Sequence, residues 1–402
     1  MMHLGFPVLK AFASWVLSAR DTTSATLCAA CRTFFVPLAQ GFAFADGAGV
    51  SSARMTRVLH MVDRDVPADC LAQLALLADK GDEVVSVGAP PADLNAAIRV
   101  EHAPLGLASL AGRRMPRRVG EFGIVHAWSP RAAQAGAVLA RLAGRELLLT
   151  LPALPRGNAL DELLARLRDD AWTVTVPTRA ARDALVARQA PEGRVRVLPP
   201  PAATIDPPEQ RRMRVREQLG VGESEFLLAA PAPLVRGAGH EMVAWAHAIV
   251  REIGPRAKVV APDGLRAGEL RTFADSTGFG ADVRIAPLDA RDLIAAGDAT
   301  AFLCKFDCGV QALATALAAG KPIVASSTPD IRELTGDGEG AMLCAPGKAR
   351  EAAAAILKLV EEPDTSAALA VRALERGARL TVASARKTLT EIYTSLGADS
   401  PA

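Results

Sequence analysis

The chain has 402 residues, which is long enough for two domains that each bury a hydrophobic core. Half of the residues are hydrophobic and 22% are charged, as is typical of globular proteins. The net charge of +2 gives no field that would attract nucleic acid, and the 4% of aromatic residues argues against a lectin-like surface. The six cysteines are irregularly spaced, which favours reduced thiols in a cytoplasmic protein over a disulfide scaffold.

Residues 1–54 differ in character from the rest of the chain. The apolar run Leu4–Leu17 is shorter than the ~20 residues of a membrane-spanning helix, and Lys10 interrupts it. Cys28 and Cys31 have the spacing of half a zinc knuckle, but no second pair follows, so metal binding is disfavoured. We expect a poorly structured extension, with the fold starting at Met55.

The next region, residues 55–200, alternates short apolar strands with segments rich in Ala and Leu. This alternation predicts a parallel sheet with helices on both faces. The expected strands are Arg57–Val62, Glu83–Val87, Ile124–Ala127, Glu146–Leu151, Trp172–Val176 and Arg194–Leu198, and the expected helices include Leu71–Ala78 and Ala132–Leu142.

A proline cluster at residues 199–208 predicts a semi-rigid connection, because proline continues neither a helix nor a sheet ladder. We place a linker at residues 201–212, a second α/β domain at 213–382, and a C-terminal helix and tail at 383–402; the family resemblance described below implies that this helix packs on the first domain. The expected strands of the second domain are Phe226–Ala230, Lys258–Ala261, Val283–Ile285, Ala299–Leu303, Pro322–Ala325 and Ala341–Cys344. The expected helices are Met242–Glu252, Leu265–Ser276, Ala349–Glu361, Ala367–Leu380 and Ala383–Leu396.

Within that domain, the stretch from Phe302 to Pro346 has the pattern strand, turn, helix, turn, strand. Gly309 opens its helix, and Gly320 and Pro322 end it. A helix that starts just after a strand points its free amides into the crevice at the carboxyl end of the sheet, where phosphates bind.

The same stretch carries a motif in the order Cys304, Asp307, Thr315, Ala316, Ala318, Gly320, Pro322, Ile323, Val324, and then Ile331, Glu333, Asp337, Gly338, Gly340 and Pro346. It resembles the donor-binding core of the retaining GT-B glycosyltransferases that use nucleotide sugars (glycosyl transferases group 1, family 4-like). Residues 76–85 and 124–130 are similar to the acceptor domain of that family. The resemblance covers roughly residues 55–390.

The resemblance implies two Rossmann-like domains that face each other across a cleft. It implies transfer of a sugar, with retention, from a nucleotide-diphosphate sugar to a glycan or lipid-linked acceptor, with no cofactor and no metal. The family's donor-site Arg and Lys are replaced here by Pro233 and Ala238, and the Gly-Gly turn after the first strand is absent. A catalytically inactive pseudoenzyme that binds nucleotide or glycan, or acts as a scaffold, is therefore the alternative function.

The predicted donor site lies on two loops of the second domain. Arg236 and Lys305 are the nearest cations to the diphosphate, although Arg236 as a solvated loop charge is an equal alternative. The phosphate donors are the amides at the helix start, and the full set of predicted substrate-binding residues on these loops and this helix is Arg236, Gly237, Lys305, Cys308, Gly309, Val310, Gln311 and Thr315. The Gly237-Ala238-Gly239 sequence also begins a dinucleotide fingerprint, so an NAD(P)-binding protein is a more remote alternative.

Four side chains near this helix have competing interpretations. Asp307 stands at the family's first Glu and is a tentative catalytic residue, or it caps a helix. Thr315 stands where the family has the carboxylate that holds the ribose, or it packs inside the helix. Cys304 and Cys308 lack partners for a metal and are expected to be small buried residues.

On the acceptor side, His126 matches the first of two family histidines and is a second tentative catalytic residue. Trp128 stands at the second and either lines or fills an acceptor pocket. A single His at a strand end is more often structural than a base. A basic cluster of Arg113, Arg114, Arg117 and Arg118 is either a solvated connector or a contact with an anionic membrane that presents the acceptor.

Overall fold

The computed structural model describes residues 57–63, 66–78, 82–87, 102–105, 122–169, 172–206, 208–254, 257–264 and 266–397. The expected N-terminal extension, with Cys28 and Cys31, lies outside the described residues, as does the arginine cluster at 113–118.

The first domain is built on a seven-stranded parallel sheet in the order β3-β2-β1-β4-β5-β6-β7. Its strands are β1 (Val58–Asp63), β2 (Glu83–Val87), β3 (His102–Leu105), β4 (Ile124–Ala127), β5 (Glu146–Thr150), β6 (Trp172–Val176) and β7 (Val195–Val197). Its helices are α1 (Ala68–Leu77), α2 (Pro130–Ala143), α3 (Asn158–Asp169) and α4 (Arg179–Val186). Strands β1, β4 and β6 are buried along their whole length, which explains their continuous apolar or small-polar sequences.

The second domain is built on a six-stranded parallel sheet in the order β10-β9-β8-β11-β12-β13. Its strands are β8 (Phe226–Ala229), β9 (Ala257–Pro262), β10 (Val283–Ala286), β11 (Ala299–Phe302), β12 (Ile323–Ser326) and β13 (Met342–Cys344). Its helices are α5 (Pro208–Leu219), α6 (His240–Ile253), α7 (Ala267–Ser276), α8 (Ala290–Ala296), α9 (Val310–Ala318), α10 (Pro329–Thr335), α11 (Ala349–Glu361) and α12 (Pro363–Gly377). The order reverses between β8 and β11, so this pair forms the switch point where α/β sheets bind ligands.

The last helix, α13 (Val382–Gly397), returns to the first domain as expected. Its apolar face joins a core with α1, β1 and β4, and Leu389 and Ile392 are among its buried residues. Arg386 donates hydrogen bonds to the carbonyl oxygens of Leu76 and Ala78 beyond the end of α1. The chain therefore crosses between the domains twice.

The two crossings, residues 201–206 and 378–381, are named the hinge. They bind each other through Ala202, whose amide donates to the Leu380 carbonyl over 2.6 Å. Helix α5 begins at Pro208, inside the range expected for the linker, because proline fits the first turn of a helix.

Helix α12 packs against α9 at a distance that only a glycine permits. A Cβ atom on Gly377 would lie 2.2 Å from the backbone nitrogen of Ala318. We expect Gly377→Ala to lower the free energy of unfolding by roughly 1–3 kcal/mol, because the two helices must separate. Chemical denaturation measures this change.

Gly268 in α7 provides the matched control, because a Cβ added there meets nothing within 4 Å. Gly268→Ala is expected to be neutral or to stabilise the protein by up to about 1 kcal/mol. An equal decrease in the free energy of unfolding in the two variants would show that the contact between α9 and α12 is not tight.

Candidate functional site at the domain boundary

The loops that follow β8 and β11 pack against each other at the switch point of the second sheet. The amide of Lys305 donates to the carbonyl of Gly237 over 2.9 Å. Gly239 has a φ of 87°, and a Cβ atom on it would lie 2.0 Å from the carbonyl oxygen of Leu303. Gly309 has a φ of 69°, and its Cβ would lie 2.8 Å from that of Ala232. These positions require glycine, because the backbones approach too closely for a side chain.

This packing brings the predicted cations Arg236 and Lys305 to one region, and both are exposed. Arg236 makes no hydrogen bond or ion pair with any described residue. Between the two loops lies the ring of Phe306, and Arg156 of the first domain stacks on it at 3.3 Å from the ring centroid. The site thus holds two cations of the second domain beside a contact between the domains.

The start of helix α9 is covered by the first domain. Asp69 at the start of α1 is buried, and its carboxyl group lies close to the amide of Gly309. Burial raises the pKa of this carboxyl group to about 7, although the interaction with the Gly309 amide acts in the opposite direction. The amide that we expected to bind a phosphate therefore faces a carboxyl group of the first domain.

Asp307 points to a different helix from the one expected. Its carboxylate accepts a hydrogen bond from the amide of Asp330 over 3.1 Å, so it caps the start of α10. Gly309 takes the N-cap position of α9, without a side-chain cap. The carboxylate is half-buried and lies within the domain boundary.

Gln311 and Thr315 on α9 bind the hinge. The amide nitrogen of the Gln311 side chain donates to the carbonyl of Pro201, and the Thr315 hydroxyl accepts from the amide of Ala203 over 3.1 Å. The same hydroxyl donates to the Gln311 carbonyl over 3.0 Å. Both side chains are buried, as is Val310, so this face of α9 lies away from solvent.

Cys304 and Cys308 are free thiols beside the same turn. A hydrogen bond with Cys304, and then burial, raise the pKa of Cys308 well above its usual range. The Cys308 sulfur therefore stays protonated and unreactive at neutral pH. Among the residues that the structure describes, no group of three or more His, Cys, Asp or Glu side chains is placed to hold a metal ion.

A second set of contacts caps a helix of the first domain in the same way. The Glu333 carboxylate on α10 accepts hydrogen bonds from the amides of Arg179 and Ala180 at the start of α4, over 2.9 and 2.8 Å. Beside it, the Thr178 hydroxyl donates to the carboxyl group of Asp330. Burial, and then the neighbouring Asp307, raise the pKa of Asp330 to about 7.

Each domain thus places an acidic side chain on a helix start of the other domain. We name these contacts the clasp: Asp69 with Gly309, Glu333 with Arg179 and Ala180, and Thr178 with Asp330. Favourable interaction of a carboxylate with a helix N-terminus, together with the hydrogen bonds themselves, stabilises the closed arrangement. Sequence reasoning missed Asp69, although it lies in the segment that replaces the family's Gly-Gly turn.

His126 and Trp128 lie in the core of the first domain and are fully buried. The ring nitrogens of His126 are each 2.7 Å from a hydroxyl oxygen, those of Tyr393 and Thr150. Trp128 stacks on His126 and donates to the ring of His60 over 3.1 Å. Burial, and then His60, hold the pKa of His126 well below its usual range, so the ring is neutral. The catalytic role predicted for His126 and the acceptor-binding role predicted for Trp128 stay predictions.

The comparisons with known proteins agree with this architecture. Residues 238–362 match the family model described as Glycosyl transferases group 1. The Bacillus subtilis (strain 168) protein "Putative glycosyltransferase EpsD" is 26% identical over 334 residues, which cover 76% of this chain and 86% of that protein.

Two solved structures share the fold. HepE of Anabaena, in complex with UDP and glucose, has a TM-score of 0.73 and 20% identity, and the match covers 85% of this chain and 100% of that one. Sucrose-phosphate synthase from Thermosynechococcus elongatus has a TM-score of 0.67 and 17% identity, with 86% and 100% covered.

Two Rossmann-like domains whose ligand-binding edges face each other define a GT-B protein, so the predicted fold is confirmed. The chain resembles the GT-B glycosyltransferases in fold and, over residues 238–362, in sequence. The matched part contains the loop after β11 and only the end of the loop after β8, from Ala238 onward. Among the described residues, no helix is long and apolar enough to cross a membrane.

The raised pKa values of Asp69 and Asp330 predict how stability depends on pH. Both carboxyl groups hold their protons up to about pH 7 in the folded protein, whereas the unfolded chain loses them near pH 4. The folded state binds more protons in this range, so stability falls as the pH rises from about 4 to about 7. In an Asp69→Asn, Asp330→Asn double variant this fall is absent, since asparagine keeps an acceptor oxygen without the charge.

We expect the double variant to gain stability over the natural protein by roughly 1–4 kcal/mol above pH 7, and by almost nothing at pH 4. Urea denaturation at several pH values measures the difference. Asp161→Asn, at an exposed position on α3, is the control and should show no such trend. A difference that does not vary with pH would contradict the assignment.

Proposed function

We propose that the protein binds a nucleotide-diphosphate sugar between its domains and transfers the sugar, with retention, to a glycan or lipid-linked acceptor. The observation that carries the proposal is the glycine-dependent packing of the loops after β8 and β11. This packing places Arg236, Lys305 and the start of α9 at one switch point. The group 1 family match over residues 238–362 supports the same assignment.

In the proposed complex, the diphosphate lies at the start of α9. The amides of Gly309 and Val310 donate to phosphate oxygens, and the positive end of the helix dipole stabilises the charge that develops on the leaving group. Arg236 and Lys305 are exposed and flexible enough to reach the same oxygens. They take the part of the cations that are absent at Pro233 and Ala238.

Binding in this position requires the clasp to open. The carboxyl group of Asp69 lies close to the amide of Gly309, so a phosphate must displace that carboxyl group. Rotation at the hinge separates α1 from α9 and removes Asp69 from the helix start. We therefore propose that the described structure is the closed, ligand-free arrangement, and that the donor binds after opening.

The other predicted residues receive structural roles in this proposal. Gln311 and Thr315 bind the hinge, and the Thr315 hydroxyl both accepts and donates a hydrogen bond. His126 and Trp128 hold the core of the first domain. Asp307 caps α10 of its own domain, so the hydrogen bond to the Asp330 amide is kept when the domains separate.

A second function is favoured by one observation, the carboxyl group of Asp69 on the helix start. An acidic side chain fixed at the phosphate position, with the two family cations replaced, is what a non-transferring GT-B protein would retain. Such a protein would keep the closed fold as a scaffold or bind nucleotide without turnover.

A panel of nucleotides separates these functions. The purified full chain is mixed with UDP, GDP, ADP and NADH, and its melting temperature is recorded; nucleotide sugars are then tested for donor hydrolysis or transfer. Transfer or hydrolysis supports the glycosyltransferase. Stabilisation by UDP or GDP without turnover supports the pseudoenzyme, and a response to NADH alone would overturn both.

The proposed role of the two cations gives a prediction for binding. Arg236→Ala and Lys305→Ala should each weaken UDP binding by roughly 10-fold or more, because each loses a charge-assisted hydrogen bond to phosphate. Titration calorimetry measures the dissociation constants. Arg271→Ala, at an exposed position on α7, is the matched control and should bind UDP like the natural protein.

Removing a clasp residue should strengthen UDP binding, whereas removing either cation should weaken it. Asp69→Ala should bind UDP roughly 10-fold more tightly than the natural protein, because it frees the Gly309 amide and removes an acidic group, partly ionised near pH 7, from the phosphate position. Asp69→Asn should gain less, since its side-chain oxygen still lies close to the amide. Unchanged or weaker UDP affinity in Asp69→Ala would show that this carboxyl group does not compete with the donor.

A further inference from the structure

A cavity of about 700 Å³ lies behind the hinge, on the side away from the domain boundary. It is bounded by hinge residues 202–205, by the start of α5, by the end of α9 and by the junction of α12 with α13. Lys321, just before β12, stands in its wall at the amino ends of the parallel strands. The proposed donor site lies at the carboxyl ends, so the two sites are separate.

Lys321 brings a positive charge that the protein only partly compensates. Its ammonium group donates to the carbonyl oxygens of Ala295 and Gly297 over 3.1 and 2.7 Å. Among the described residues, no carboxylate lies within ion-pair distance of it. Burial, and then the nearby Arg212, lower the pKa of Lys321 to about 8. A largely buried ammonium group with one N–H left over is stabilised by an anion.

The other charged side chains of the cavity wall do not pair with the ammonium group of Lys321. Arg212 is paired with Asp298 over 2.7 Å and also donates to the carbonyl oxygens of Ala296 and Gly297. Glu209 on α5 is exposed, and Glu209 and Asp298 act on Lys321 only from beyond ion-pair distance, so they do not outweigh its burial. The wall therefore carries a net positive charge at Lys321.

The rest of the wall is mainly apolar. Ile205, Leu374, Leu380 and Val382 contribute hydrocarbon surface, and alanine side chains cover much of the remainder. The volume is within the range of about 300–1,000 Å³ typical of small-molecule sites. A hydrocarbon chain with one acidic end matches both the apolar wall and the single cation.

We propose that this cavity binds a small amphiphile with one acidic group and a hydrocarbon body, with the acidic group on Lys321. The site also borders the hinge, where the amide of Ala202 donates to the carbonyl of Leu380, and it borders the end of α9. Occupancy then restrains the two crossings of the chain and the helix that carries the proposed donor site.

Octanoate and octanol are the probes, since they share a chain and differ in charge. Titration calorimetry of the full chain at pH 7 is expected to show saturable one-to-one binding of octanoate, and weaker binding of octanol. Lys321→Met keeps the hydrocarbon stem and should weaken octanoate binding at least 10-fold, with octanol unchanged. Lys348→Met, at an exposed lysine of the same domain, should change neither.

A second variant keeps the proposal testable if Lys321→Met fails to fold. Ala319 is exposed at the end of α9 and lines the cavity, so Ala319→Trp fills the space without burial in the core. It should abolish the binding of both probes. The proposal is overturned if the natural protein shows no saturable octanoate binding, if Ala319→Trp still binds octanoate, or if folded Lys321→Met binds it as well as the natural protein does.

Discussion

The carboxyl group of Asp69 in the first domain lies close to the amide of Gly309 in the second, at the point where the proposed function places a nucleotide diphosphate. A helix start has unsatisfied amides and the positive end of a dipole, so it binds an anion whether that anion belongs to a ligand or to the protein. Helix α9 can therefore hold the first domain or a phosphate, but one amide cannot hold both. In the proposed function, donor binding depends on this competition.

Helix α9 is also restrained away from its start. Gln311 and Thr315 bind the first crossing of the hinge, and Gly377 of α12 lies against its last turn. A movement of the hinge is thus transmitted to the helix through hydrogen bonds and close backbone packing. The clasp is reciprocal, since Glu333 caps α4 of the first domain, so opening exposes helix starts on both sides. Those amides then become available to water or ligand.

Much of the fold was predictable from the sequence because the signals are local. Buried parallel strands such as Ile124–Ala127 and Trp172–Val176 are short apolar runs, and their predicted bounds match the structure. The signals that end α9, Gly320 and Pro322, are also local in the sequence. Helices α3, α4, α5, α8 and α10 were not predicted, and neither was β3 (His102–Leu105), which has only four residues and contains a proline.

The candidate site was less predictable because its contacts join residues far apart in the chain. Asp69 and Gly309 are in different domains, and no periodicity connects them. Asp307 has the spacing of an N-cap for its own helix, yet it caps α10, because the fold brings the start of that helix to it. Thr315 was predicted to be near a ribose or packed in a helix, and its bond to the hinge depends on the path of the connection.

The most direct test of the competition at α9 is a crystal structure of the full chain with UDP bound. The account predicts that phosphate oxygens lie about 3 Å from the amides of Gly309 and Val310, with the Asp69 carboxyl group withdrawn from the helix start. A structure in which UDP is bound elsewhere and the Asp69 carboxyl group still lies against the Gly309 amide would contradict the account.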